Sequence, residues 1–177
     1  MIIALAGRRV DAPDAKDARF PLQNVAQVRE RVRKLLKTDV AAVVSSAACG
    51  ADLIAQSEAG TLGLRRRVVL PFARQRFRET SVVDRPGDWG PVYDRVIDEV
   101  AAAGDLVVLP PGPDDQAYAA ANHAILEEAL ALARTLHQPV KAILVWDGAS
   151  RGDNDLTEAF GTEARKRGLA VTDVPTL

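Results

Sequence analysis

Six short apolar runs recur along the chain at fairly even spacing. Most are β-branched and continuous rather than alternating with polar residues, which is typical of parallel strands buried on both faces. We therefore predict strands within residues 1–7, 40–48, 66–72, 105–110, 140–148 and 169–175.

Between these runs, apolar residues recur at the 3.6-residue spacing of amphipathic helices. This spacing predicts helices within residues 22–36, 51–62, 90–103, 118–136 and 156–167. Alternating strands and helices imply right-handed βαβ crossovers. The predicted fold class is α/β: a single doubly wound Rossmann-like domain over residues 1–177, with a mostly parallel sheet of about six strands flanked by helices on both faces.

The alternation lapses at residues 72–90, FARQRFRETSVVDRPGDWG. A connection of this length within a compact domain is usually functional or disordered, and we expect a long loop here. Arg74, Arg76 and Arg78 follow the third strand and should lie on its ligand side. Residues 65–67, which are all arginine, precede that strand and should lie at the opposite edge of the sheet.

Composition and charge exclude several classes of protein. The chain has 177 residues and a net charge of −1, which argues against nucleic acid as a partner because a basic surface is usual there. Its one cysteine, Cys49, excludes an intrachain disulfide and fits a reducing compartment. No apolar run approaches the roughly 18 residues of a membrane span, and the start lacks the basic region of a signal peptide. We expect a cytoplasmic protein with no membrane partner.

Ligands of open α/β sheets bind beyond the carboxyl ends of the strands. Gly7 and Arg8 end the first predicted strand. Glycine allows close approach of a ligand, and the arginine fork suits a phosphate or carboxylate. The alternative is a solvent-exposed turn with no ligand.

The second strand end reads SSAACGADLIAQ and contains Ser46, Gly50, Ala51 and Asp52. It has neither the G-x-G-x-x-G of a dinucleotide site nor the lysine of a Walker A loop. The Asp52 carboxylate would repel a phosphate. It would instead interact favourably with the dipole of the helix that it begins, or accept hydrogen bonds from a ribose. We expect a neutral nucleoside moiety here, or no ligand contact.

The remaining strand ends add residues that would close or border the same cleft. Phe72 or Phe77 would stack on a base, and one or two of Arg74, Arg76 and Arg78 would clamp a phosphate. The alternative is a basic loop whose aromatic residues close over the core. Asp114 and Asp115 are expected to cap a helix. We find no grouping of side chains with metal-ligand spacing, so we predict no metal and no cofactor. The added cleft residues are Phe72, Arg78, Ser81, Trp146, Gly148, Gly152 and Thr157.

Several segments resemble the SLOG superfamily, which joins the Lonely-guy phosphoribohydrolases with a DNA-processing protein family and uncharacterised nucleotide-binding domains. The most specific are GADLIA at 50–55 and WDG at 146–148. The others are Ala6-Gly7, VVSSAAC before GADLIA, LPF followed by RFRETSV, DLVVLP, and Thr157. The chain looks like the uncharacterised nucleotide-binding branch. The resemblance implies a Rossmann-like fold, a nucleotide-like small molecule at the strand ends and a homodimer around it.

Three functions follow from these observations. The leading one is binding of a nucleotide or nucleotide-derived metabolite, as in a sensor. The second is cleavage of a nucleotide N-glycosidic bond by a carboxylate near the ribose, with Asp52, Glu79 and Glu158 as candidate catalytic residues. LPPGPDDQA stands where Lonely-guy enzymes look like LPGGxGTxxE, so their catalytic motif is absent. The third is an interaction module with a vestigial cleft.

Overall fold

A computed structural model describes residues 1–177, apart from the side chains of Asp114 and Asp115, so the expectation for these two aspartates lies outside what is described. Six strands form one parallel sheet in the order β4-β3-β2-β1-β5-β6. The strands are β1 (Ile2–Gly7), β2 (Ala42–Ser45), β3 (Arg65–Leu70), β4 (Leu106–Val108), β5 (Val140–Trp146) and β6 (Ala170–Pro175). The predicted α/β fold class is confirmed.

Helices cover both faces of this sheet. Ile3 and Leu5 of β1 belong to the core on one face, and Ile2 and Ala4 belong to the core on the other. Burial on both faces is the physical reason that β1 is a continuous apolar run. The helices are α1 (Val25–Leu36), α2 (Ala51–Thr61), α3 (Arg74–Ser81), α4 (Gly90–Ala102), α5 (Asp114–Leu136) and α6 (Leu156–Lys166).

The prediction of a long loop over residues 72–90 is wrong, because α3 lies within this segment. This helix is short and half of its residues are charged, and Phe77 and Ser81, four residues apart, are its buried residues. Two residues are too few to show a 3.6-residue periodicity in the sequence. The segment that remains irregular is the short connection between α3 and α4.

The three arginines at residues 65–67 lie inside β3 rather than before it. Arg65 and Arg67 both donate to the buried carboxylate of Asp105, and Arg67 also donates to Glu128. These ion pairs allow charged residues to begin a strand between two neighbours. The expectation that they lie at the edge opposite the ligand agrees with this position, at the amino end of the strand.

The strand order changes direction between β1 and β5, since the chain adds β2, β3 and β4 on one side and β5 and β6 on the other. The loops after β1, β2 and β5 meet at the carboxyl edge beside this switch point, where open sheets bind ligands. Within the described residues, no helix combines the length and apolar character needed to cross a membrane.

Candidate functional site

A cleft opens at the carboxyl ends of β1 and β2, bounded by α2 and α3 and by α5 and the first residues of α6. Its inner cavity of about 110 Å³ is lined by Gly7, Ser46 and Asp52, with Ser81 and Tyr118 on the opposite side. It continues outward into a wider mouth of about 310 Å³. Both parts are lined by Gly7, Arg9, Tyr118, Leu156 and Thr157.

Ser46 and Asp52 both carry polar groups of the inner cavity that the described residues do not fully satisfy. The Ser46 hydroxyl is buried and has no hydrogen-bond partner among the described residues. The Asp52 carboxylate accepts a hydrogen bond from the Ala48 N–H at 3.2 Å, and burial raises the pKa of Asp52 to about 7. At neutral pH this carboxyl group is therefore divided between its protonated and ionised forms.

The turn before α2 is shaped by glycine. Gly50 has a φ of 97°, and a Cβ there would lie 2.7 Å from the Arg8 carbonyl oxygen. The Ala51 N–H donates to the same oxygen at 3.1 Å. A Cβ on Gly7 would lie 2.4 Å from that of Ala51. The start of α2 is thus packed onto the backbone after β1 and does not form an open phosphate cradle.

Aromatic rings close the inner cavity from the side of α3 and α5. The hydroxyls of Ser81 and Tyr118 are 2.9 Å apart and hydrogen-bonded. Phe77 also lines the cavity. Phe72 lies behind these rings, with its centroid 5.7 Å from that of Tyr118 and 6.0 Å from that of Phe77. Phe72 therefore supports the wall and does not line the cleft.

Arg8 lies beside the cleft in a closed ionic network. Its guanidinium donates to Asp147 at 2.9 Å, to Asp155 at 2.8 and 2.7 Å, and to the Ala149 carbonyl oxygen at 2.6 Å. Asp155 also caps α6 by accepting hydrogen bonds from the N–H groups of the first turn of that helix. This arrangement lowers the pKa of Asp155 to about 2, with Arg8 as the leading favourable partner. Arg8 is therefore not free to hold a phosphate.

The structure brings together five of the predicted ligand residues in the inner cavity: Gly7, Ser46, Asp52, Ser81 and Thr157. Gly50 and Ala51 lie behind it and shape the turn. Other predicted residues lie elsewhere. Arg78 donates to Asp94 of α4, Trp146 lies against the Arg8 guanidinium, and Gly148 turns the β5–α6 loop with a φ of 77°.

Two of the three candidate carboxylates lie outside the cleft. Glu79 is exposed on α3 and accepts from Gln75. Glu158, hydrogen-bonded to Ser150, lines an adjoining groove of about 560 Å³ between α5 and α6 together with Gly152, and this groove shares Asn122 and Leu156 with the inner cavity. Asp52 is the candidate that lines the cleft. No group of three or more metal-ligating side chains occurs among the described residues.

Arg9 and Tyr118 line the cleft but were not among the predicted ligand residues. Arg9 adjoins the predicted Arg8, and the sequence does not tell which of the two faces the cleft. Tyr118 lies in the apolar stripe of α5, where a sequence pattern indicates core packing. Its hydroxyl was the available signal, because a buried tyrosine usually has a hydrogen-bond partner.

The chain was compared with protein-family models, curated proteins and solved structures. No family model matches the chain, and no curated protein matches it either. The chain is similar to the X-ray structure of DNA processing protein A (DprA) from Streptococcus pneumoniae, with a TM-score of 0.45 and 15% sequence identity. The similarity covers 97% of this chain and 57% of that one, so this chain spans little more than half of DprA.

Proposed function

We propose that the cleft binds a nucleotide or a nucleotide-derived metabolite. The observation that carries this proposal is that Ser46 and Asp52 line the same small cavity. Buried polar groups in proteins are nearly always hydrogen-bonded, yet the Ser46 hydroxyl has no partner among the described residues. A ligand hydroxyl or ring nitrogen would supply the missing partner.

The cleft has the size and lining that such a ligand requires. The inner cavity of about 110 Å³ is smaller than a typical ligand pocket, and the mouth of about 310 Å³ extends it into the range of small-molecule sites. One ring system would occupy the inner cavity beside Tyr118, and the rest of the ligand would extend outward. Because Asp52 has a pKa of about 7, it would either donate to the ligand or accept from it.

The resemblance of GADLIA and WDG to SLOG domains supports the same proposal and suggests a sensor. We further propose that residues 1–177 form one domain, that it acts in the cytoplasm and that it forms a homodimer. Chemical unfolding with a single cooperative transition tests the first statement. Sedimentation at several protein concentrations tests the homodimer, and a monomer at every concentration would contradict it.

A thermal-shift panel of nucleosides, nucleotides and ADP-ribose-like compounds tests the binding proposal. A ligand that binds only the folded protein stabilises it by RT ln(1 + [L]/Kd). We expect at least one compound to raise the melting temperature at about 1 mM, and to do so less in Asp52→Asn, whose carboxylate is removed from the cavity. If every compound leaves the melting temperature unchanged, the proposal is wrong.

The position of Asp52 also favours a second function, hydrolysis of a nucleotide N-glycosidic bond. In that reaction water adds to the ribose C1′, the bond to the base breaks, and the base leaves with a proton. A carboxyl group with a pKa near 7 suits general acid–base work at neutral pH. Chromatography would show free base released by the parent and lost in Asp52→Asn. Absence of base release from any nucleotide would contradict hydrolysis.

A further inference from the structure

Among the residues whose side chains the structure describes, the lining of the mouth contains more arginines than carboxylates. Four arginines line it, and the described aspartates of the lining are Asp11 and Asp155. The whole chain, by contrast, has a net charge of −1. The arginines come from three different connections, after β1, between α3 and α4, and between β5 and α6: Arg8, Arg9, Arg85 and Arg151.

The two aspartates of the mouth are already engaged by other groups. Asp11 accepts from the backbone N–H groups of Arg19 and Phe20 at 3.0 to 3.1 Å. Asp155 is held by Arg8 and by the first turn of α6. The hydrogen-bond donors to these two carboxylates are therefore groups other than the side chains of Arg9, Arg85 and Arg151.

These three arginines have incomplete partners. The buried Nε of Arg9 has no partner among the described residues, and its terminal nitrogen donates to Asp84. Arg85 shares that same aspartate at 3.6 Å. Arg151 makes no side-chain ion pair in the described part of the chain. Desolvation and the neighbouring positive charge of Arg8 lower the pKa of Arg151, whereas the charges of Asp155 and Asp147 act in the opposite direction.

We propose that Arg9, Arg85 and Arg151 form a phosphate subsite at the mouth, which holds the phosphate or diphosphate end of the ligand. Guanidinium groups bind phosphate oxygens through paired N–H donors. Arg9 and Thr157 line both parts of the cleft, so a ligand whose ring occupies the inner cavity would reach this subsite. This inference rests on the proposed function for the orientation of the ligand.

The connection before α5 is the competing location for a phosphate. It contains Pro110, Pro111 and Pro113, each of which lacks the N–H group that a phosphate loop uses. The start of α2 is covered by the backbone after β1, as described above. The arginines of the mouth are therefore the better phosphate ligands.

Calorimetric titration with inorganic pyrophosphate tests the subsite without any assumption about the base. We expect Arg151→Gln to weaken pyrophosphate binding by about tenfold, which corresponds to one hydrogen bond to a charged group. Arg134→Gln is the matched control, because it removes the same charge from the end of α5 at the opposite edge of the sheet, and it should leave binding unchanged. Binding by the parent should weaken as salt is raised.

Arg85→Gln provides a second variant in case Arg151→Gln perturbs folding, and it should weaken binding by several-fold. The subsite is wrong if the parent does not bind pyrophosphate, or if both mouth variants bind it as tightly as Arg134→Gln does. Titration with nucleosides distinguishes failure of the phosphate subsite from failure of the proposed function. Binding of a nucleoside and its phosphate with equal affinity would overturn the subsite and leave the cleft proposal standing. If pyrophosphate binds in an arginine-dependent way and no nucleoside or nucleotide binds, the subsite stands and the cleft proposal is overturned.

Discussion

Two regions at the carboxyl edge of the sheet differ in how completely their buried polar groups are hydrogen-bonded by the protein. Beside the switch point, Arg8 is enclosed by Asp147, Asp155 and a carbonyl oxygen, and Arg8 is only 3% exposed. In the adjacent cleft, Ser46 and the Nε of Arg9 are buried without partners among the described residues. The closed region stabilises the fold, and the incomplete region is the part that a ligand would complete.

The contrast recurs between residues that are neighbours in sequence. Ser45 is fully buried, donates to the Ser46 carbonyl oxygen at 2.7 Å and accepts from Gln56 at 2.9 Å, whereas the Ser46 hydroxyl lines the cleft without a partner. Arg8 and Arg9 differ in the same way. A polar residue at a strand end is therefore a ligand candidate only when its partners do not already saturate it.

The largest expected effect comes from opening the closed region. Asp155→Ala leaves the buried Arg8 guanidinium without its main carboxylate and removes the cap of α6, so the free energy of unfolding should fall by about 3–5 kcal/mol. Urea denaturation measures this loss. Asp153→Ala, an exposed change in the same loop, should stay within about 0.5 kcal/mol of the parent. Equal effects of the two changes would contradict the closed network.

The two regions should also respond to pH in opposite directions. The pKa of Asp155 is lowered to about 2, so its contribution to stability is present above its unfolded pKa of about 4 and is lost as pH falls through 2. The pKa of Asp52 is raised to about 7, so its contribution is present below about 4 and is lost as pH rises through 7.

Asp52→Asn tests the second half of this contrast. It removes the cost of a buried charge, so the variant should be more stable than the parent by up to about 4 kcal/mol at pH 8 and by less than about 1 kcal/mol at pH 4.5. Urea denaturation at the two pH values measures the difference. Asp17→Asn is the exposed control, and it should stay within about 0.5 kcal/mol of the parent. A parent at least as stable as Asp52→Asn at pH 8 would show that Asp52 is not a strained carboxyl group.

The smallest effect separates the two serines. Ser45→Ala removes a hydrogen bond from the buried Gln56 amide and should lower the free energy of unfolding by about 1–2 kcal/mol. Ser46→Ala removes a hydroxyl that has no partner in the described structure, so it should change stability by less than about 0.5 kcal/mol. Thermal unfolding of both variants under the same conditions makes the comparison. A larger loss from Ser46→Ala would assign that hydroxyl a structural role.

The sequence predicts the fold more completely than it predicts the candidate site. Strands such as β1 and β5 are buried on both faces and therefore appear as apolar runs, whereas α3 has two buried residues and no visible stripe. Gly7, Ser46 and Asp52 were found because strand ends of a parallel sheet share one edge. The difference between Arg8 and Arg9 could not be predicted, because Arg8 is neutralised by carboxylates 139 and 147 residues further along the chain. No local pattern reports such long-range pairing.

The most direct test of the account is the affinity of the two serine variants for whichever nucleotide stabilises the parent. Calorimetry should show that Ser46→Ala binds this nucleotide about tenfold more weakly than the parent, because a ligand hydrogen bond is lost, while Ser45→Ala binds it with little change. Equal affinity of Ser46→Ala and the parent would contradict the claim that the unpaired groups of the cleft bind the ligand.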